Sequence, residues 1–115
     1  MARKTKRAAK RKKARRTRKP ARVSPVPPGM RSVTPYLVIQ GAARAIEFYK
    51  RAFGAKEIDR SPMPDGTLLH ATIKIGDSVI MMSDEFPGGD SKSPTSAGAT
   101  TFNLHIYSED VDKLW

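Results

Sequence analysis

The stretch Thr67-Leu-Leu-His-Ala-Thr-Ile-Lys-Ile75, followed by Gly76-Asp77 and then Ser78-Val-Ile-Met-Met-Ser83, decides the fold. Its first part alternates, with Leu69, Ala71, Ile73 and Ile75 on one side and Leu68, His70, Thr72 and Lys74 on the other. That two-residue period belongs to a half-buried β-strand. Gly-Asp between two such runs closes a tight hairpin, so the stretch predicts two antiparallel strands with one apolar and one mixed face.

Towards the N-terminus, Pro62-Met-Pro-Asp-Gly66 is a turn cluster and Lys56 to Arg60 a short, weakly patterned strand. In Ala42 to Phe53, residues Ala42, Ala45, Ile46, Tyr49, Ala52 and Phe53 recur at helical spacing, with Arg44, Glu47, Lys50 and Arg51 elsewhere on the wheel. Gly54 fits a helix C-cap, and Lys50 and Arg51 complement the dipole of the last turn. Gln40-Gly41 is the turn before the helix. The β-branched and aromatic run Val33 to Ile39 is a first strand, with Pro35 near its start where a missing donor is tolerated.

Towards the C-terminus, Asp84 to Ala99 is rich in Gly, Pro, Ser and Asp and predicts a long loop. Thr100 to Tyr107 predicts another strand, and Ser108 caps a helix expected from about Glu109. Leu114 and Trp115 read as the apolar face of that helix. After about two turns such a helix has little to pack against, so the sequence is expected to stop inside an element.

The charge is segregated. Of the 22 Lys and Arg, fourteen lie before Val33, where there is no acid; the other eight face all 11 acids, a net −3. The formal +11 of the chain therefore belongs to residues 1–32. Such self-repulsion with few large apolar side chains predicts disorder. Pro25, Pro27, Pro28 and Gly29 add a stiff linker, which sets a boundary between the tail and linker (1–32) and a folded part (33–115). Arg3, Lys4, Lys6, Arg7, Lys10, Arg11, Lys12, Lys13, Arg15, Arg16, Arg18 and Lys19 are the candidate contacts to a polyanion, DNA or RNA, through counterion release. No aromatic residue accompanies them, so backbone contact is expected rather than base stacking. The alternative is a true start at Met30, which would remove the tail.

No apolar run of roughly 18 residues exists, and no apolar segment follows the basic start as a secretory signal requires. The expectation is a cytoplasmic protein, or a nucleoid-associated one if the tail acts. With no Cys, disulfides, thiolate zinc sites and cysteine nucleophiles are excluded together. HExxH, P-loop and GxGxxG patterns are absent, and Ser83 and Ser108 have no base at recognisable spacing.

Val33 to Phe53 with Gly54-Ala55, Met63-Pro-Asp-Gly66, His70-Ala71, Ile75-Gly-Asp-Ser-Val79, Met82-Ser-Asp84 and Leu104-His-Ile-Tyr-Ser-Glu-Asp-Val-Asp112 together resemble the PhnB-like branch of the vicinal oxygen chelate superfamily. The resemblance covers nearly all of residues 33 to 115. It implies an α+β fold: a βαβββ module of the glyoxalase/bleomycin-resistance type, followed by only the opening of a second module, behind the disordered basic tail. It also implies a cleft for metal, substrate or drug between paired modules, and lyase- or dioxygenase-like chemistry as one activity.

In metal-dependent relatives the ligands are His, Gln or Glu on the first and last strand of each module. The matching positions here are Thr34, Met81 and Asn103, none of them a usual ligand for a catalytic divalent ion. No cofactor is therefore expected; a divalent metal would require a different strand register. The register puts Thr34, Tyr36 and Val38, His70 and Thr72, Val79, Met81 and Ser83, and Asn103, His105 and Tyr107 on the cleft face. Leu37, Ile39, Ala71, Ile73, Ile80, Met82, Leu104 and Ile106 lie under the helices. The candidate ligand-binding residues are Thr34, Tyr36, His70, Thr72, Met81, Asn103, His105 and Tyr107.

The histidines with nearby Tyr hydroxyls suit an anion or oxygenated ligand, or acid–base work near neutral pH. They equally suit ordinary bonds to backbone or solvent. Asp84 and Glu85 are placed to meet His70 across the hairpin or, alternatively, to be solvated loop acids. Two functions stay open: a small-molecule-binding module, and a nucleic-acid-associated protein whose tail acts while the folded part is a platform. A half-cleft exposing apolar strand edges also predicts self-association as a homodimer.

Overall fold

A computed structural model of the protein describes residues 23–114. The basic residues from Arg3 to Lys19, and Trp115, lie outside the described residues. Four strands form one sheet: β1 (Tyr36–Ile39), β2 (Lys56–Pro62), β3 (Leu68–Ile75) and β4 (Ser78–Asp84), in the order β1-β4-β3-β2. β1 runs parallel to β4, while β3 is antiparallel to both its neighbours. The parallel pair needs a crossover, supplied by the helix α1 (Ala42–Phe53), whose bounds are those of the apolar periodicity. The architecture is the expected α+β module, β1-α1-β2-β3-β4.

α1 lies on one face of the sheet. Ala42 and Ile46 are fully buried there against Leu37, Leu68, Ala71, Ile73, Ile80 and Met82. Burying these branched and thioether side chains is the main stabilising term, worth ~2 kcal/mol for each large one. Of the sheet positions expected under the helices, Leu37, Ala71, Ile73, Ile80 and Met82 are in the core and Ile39 packs half-buried against it, whereas Leu104 and Ile106 are not part of it. Gly54 ends α1 in the left-handed conformation at φ 65°, and its N–H reaches Lys50 O at 3.1 Å.

Two bulges alter the alternation. Glu57 faces Ile73 and Asp59 faces Thr72, which leaves Ile58 as an extra residue on β2; Ser61 faces His70 and Pro62 faces Leu68, which leaves Leu69 extra on β3. The strands each gain one residue, so their overall pairing stays in step. The second bulge corrects the expected faces: Leu68 turns into the core and Leu69 is 54% exposed, the reverse of strict alternation.

The first strand is shorter than expected, with Val33 and Thr34 before it; Pro35 still accepts from Met81 N–H at 3.0 Å. The Asp84 to Ala99 loop contains one helical turn, α2 (Pro94–Ala97), capped by Ser93. Thr100 to Tyr107 does not form the expected strand. It has no partner in the sheet, Tyr107 is exposed, and no backbone hydrogen bond ties the segment to another among the described residues. An alternating sequence has strand stability only against an edge, and none is present beside it. The expected second helix is a single 3-10 turn, Val111–Leu114. Ser108 Oγ accepts from Asp110 N–H, and Asp110 in turn caps Lys113 N–H at 3.3 Å.

Candidate functional site

The registers place one row of side chains across all four strands. Asp59 faces Thr72, Thr72 faces Met81, and Met81 faces Tyr36. Directly opposite residues in a sheet share a face, so these four lie together on the side away from α1. His70 is two residues from Thr72 on the same strand and joins the row. Its Nδ1 is 3.4 Å from Tyr36 Oη, with the rings 5.7 Å apart, and its Nε2 is 3.0 Å from Thr72 Oγ1. Asp59 Oδ1 lies 3.9 Å from the same Nε2. A carboxylate on that side favours a proton on Nε2, which leaves Nδ1 to accept from the Tyr36 hydroxyl.

Tyr36, His70, Thr72 and Met81 are thus brought together as the register predicts. Thr34, His105 and Tyr107 are not with them. They line a separate groove of about 550 Å³ at the hairpin end, beside Phe53, Ile75 and Leu104. The His105 and Tyr107 rings are tilted to each other by 55° with their centres 4.8 Å apart. Asn103 is exposed and belongs to neither place. The cause is the missing strand: without a place in the sheet, residues 100–107 cannot present alternate side chains to the open face.

The acid near His70 is Asp59, not Asp84 or Glu85. Sequence reasoning missed Asp59 because the Ile58 bulge reverses the parity of β2; the weak apolar pattern of that strand was the one signal. Asp84 is buried, and one of its carboxylate oxygens accepts from Gly41 N–H at 2.8 Å and Ala42 N–H at 3.2 Å while the other accepts from Leu68 N–H at 2.7 Å. Gly41 brings no side chain to cap α1, and its φ of 78° suits glycine. The end of β4 supplies the cap instead.

Glu85 holds the following loop. Ser96 Oγ donates to it, as do Ser93 N–H at 3.1 Å and Ser93 Oγ at 3.3 Å, with Gln40 Nε2 at 3.5 Å. The Ser96 hydroxyl first, then the others, hold the Glu85 carboxyl below the usual carboxylate range. This tether keeps the turn Phe86 to Ser91 near the open face, where with Tyr36, Val38 and Ser83 it borders a shallow groove of about 410 Å³.

Tyr36, Thr72 and Met81, which share the open face with His70, are not usual ligands for a divalent ion. Among the described residues no three His, Cys, Asp or Glu side chains gather as a ligand set. Both His70 nitrogens face hydroxyls, and the β4 position opposite Tyr36 and Thr72 carries the thioether of Met81.

A family model described as the N-terminal domain of glyoxalase At5g48480-like proteins matches residues 37–85, the span from β1 to the Asp84–Glu85 anchor. A solved structure of a PhnB protein from Bacillus cereus, titled a putative 3-demethylubiquinone-9 3-methyltransferase, superposes with a TM-score of 0.54 at 20% identity, over 73% of this chain and 70% of that one. The fold is glyoxalase-like and PhnB-like. This glyoxalase-like module is also 44% identical over 84 residues to two mycobacterial proteins that carry no functional name, Mb0911c of Mycobacterium bovis and Rv0887c of Mycobacterium tuberculosis. The match takes in 70% of the chain in each case, but only 55% and 49% of those proteins. The chain spans about half the length of the curated relatives it matches. Among the described residues, no helix of the glyoxalase-like module or its flanks is long and apolar enough to cross a membrane.

Proposed function

We propose that residues 33–115 act as a small-molecule-binding glyoxalase-like domain, with the ligand held on the open face of the sheet by Tyr36, His70, Thr72 and Met81 and without a divalent metal. The observation that carries this reading is the row itself: four strands each contribute a side chain to one place, and His70 is bonded to two of them. Polar groups converging beside apolar surface are the usual furniture of a ligand site. Lyase or dioxygenase chemistry of the metal-dependent kind calls for donors that Thr34, Met81 and Asn103 do not provide.

The test is a small-fragment screen by two-dimensional NMR on the full chain, with equilibrium dialysis against zinc, nickel and manganese alongside. Fragments should perturb Tyr36, His70 and Thr72 together, and the dialysed protein should stay metal-free. Perturbations confined to the hairpin-end groove would overturn the placement. Stoichiometric metal uptake abolished in His70→Ala would overturn the metal-free reading.

A second reading is supported by one observation, the fourteen bases without an acid before Val33. In it the tail holds the protein on DNA or RNA and the glyoxalase-like part travels with it. Removal of residues 1–29 should abolish retention on nucleic acid, and retention in the full chain should fall steeply with salt. Salt-insensitive retention, or retention unchanged by the deletion, would end this reading.

A further inference from the structure

His70 stands between two hydroxyls, and the proton count of its ring decides where their hydrogens point. A neutral imidazole has one N–H and one lone pair. With the N–H on Nε2, towards Thr72 Oγ1 and Asp59, the lone pair on Nδ1 takes the Tyr36 hydrogen. An imidazolium has two N–H groups and no lone pair. Both hydroxyl oxygens then accept from the ring, and the Tyr36 hydrogen is released to turn outward. A single proton therefore adds a positive charge and one free donor to the open face.

We infer that protonation of His70 makes this face a site for an oxyanion, the carboxylate or phosphate group of a small molecule, held by the exposed Tyr36 hydroxyl beside the imidazolium. The inference rests on the proposed ligand site and names its chemical class. Charge-assisted hydrogen bonds to an oxyanion are about twice as strong as neutral ones, so the charged ring and the Tyr36 hydroxyl favour an anion over an uncharged oxygenated ligand.

The groups that face His70 are few. β2 brings Ser61 and Asp59, the latter competing with the incoming anion for the imidazolium; β1 brings Tyr36; β4 brings the uncharged Met81 to the same row; and the turn after β4 brings a second carboxylate, Asp90, to the groove beside Tyr36. The Asp84 carboxylate at the end of β4 is occupied by three backbone amides. α1 packs on the opposite face. By linkage, an anion that prefers the protonated state must raise the proton affinity of His70 by the same factor that acid tightens its binding.

The experiment follows the imidazole nitrogens of the full chain by ¹H–¹⁵N correlation during pH titrations with sodium acetate, with inorganic phosphate, and with acetamide as the uncharged counterpart of acetate. His105 is the internal control against non-specific binding to the basic tail. Acetate, phosphate or both should shift the His70 midpoint upward and leave His105 unmoved, the effective arm showing which oxyanion fits. Affinity should weaken about tenfold per pH unit above the midpoint of free His70. Asp59→Asn should tighten anion binding severalfold at acid pH, and Tyr36→Phe should weaken it severalfold with the unfolding midpoint unchanged. Equal, pH-independent perturbation by acetate and acetamide would overturn the oxyanion inference while leaving the ligand site standing. Equal shifts at His70 and His105 would also overturn it, and no perturbation by any probe or fragment would remove both.

Discussion

Thr67 to Ile75 and Thr100 to Tyr107 are written in the same style, and only the first is a strand. The first finds β2 on one side and β4 on the other; the second finds no edge and takes no regular structure through residues 100–107. Alternation describes a side-chain pattern fit for a pleated surface, but the free energy of the strand lies in its neighbours. The contrast also explains the site: residues from paired strands converge at His70, and those from the unpaired segment lie elsewhere.

Hydrogen exchange should break or sharpen this contrast most strongly. Amides of β3 and β4 that pair with each other should exchange at least about a thousandfold more slowly than those of residues 101–107. Comparable protection in the two segments would mean that the C-terminal run has a partner after all. Next in size is Asp84→Ala, which strips three backbone amides, those of Ala42 and Leu68 buried and that of Gly41 partly so, of a charged acceptor; a loss on the order of 4 kcal/mol is expected in urea unfolding. A loss below about 1 kcal/mol would show that the β4 end does not hold the module together.

The bulge offers a sharper internal comparison. Leu68→Ala should cost about 3 kcal/mol and Leu69→Ala less than about 0.5 kcal/mol, although strict alternation assigns them the opposite ranking. Equal costs would contradict the bulge. A chain ending at Ala99 should keep its stability within about 1 kcal/mol, because the removed segment pairs with nothing in the sheet. The smallest effect concerns Glu85. Its carboxyl is held below the usual range, chiefly by the Ser96 hydroxyl, so the loop tether is intact above that range and is lost as pH falls through the lowered value. The protection of the Ser93 amide, taken relative to its intrinsic exchange rate at each pH, should fall on acidification in the wild type and be low at all pH values in Glu85→Ala; protection independent of pH in the wild type and equal in the variant would refute the tether.

The sequence makes α1 legible from end to end, since a 3.6-residue pattern and a terminal Gly54 are local signals. The hairpin at Gly76-Asp77 is local as well. Tyr36, His70, Thr72 and Met81 could be placed on one face because strand parity is reliable between bulges. Ile58 and Leu69 were not legible as bulges, because an extra residue is defined only against the opposite strand. Asp84 was hidden for a similar reason: its three partners are amides at residues 41, 42 and 68, and an amide has no signature in sequence. The missing strand at Thr100 to Tyr107 is the converse case, a sound local signal with no partner to act on it.

The position of Asp84 in the chain also concerns timing. The protein is made from its N-terminus, so the helix that begins at Ala42 emerges with its first amides bare. The carboxylate that joins them lies 43 residues after Gly41 and 16 after Leu68. β1, α1 and the start of β3 must therefore wait for the last residue of β4 before they are fastened to one another. A force profile of the nascent chain should show one step, when Asp84 clears the ribosome, rather than a series of small ones.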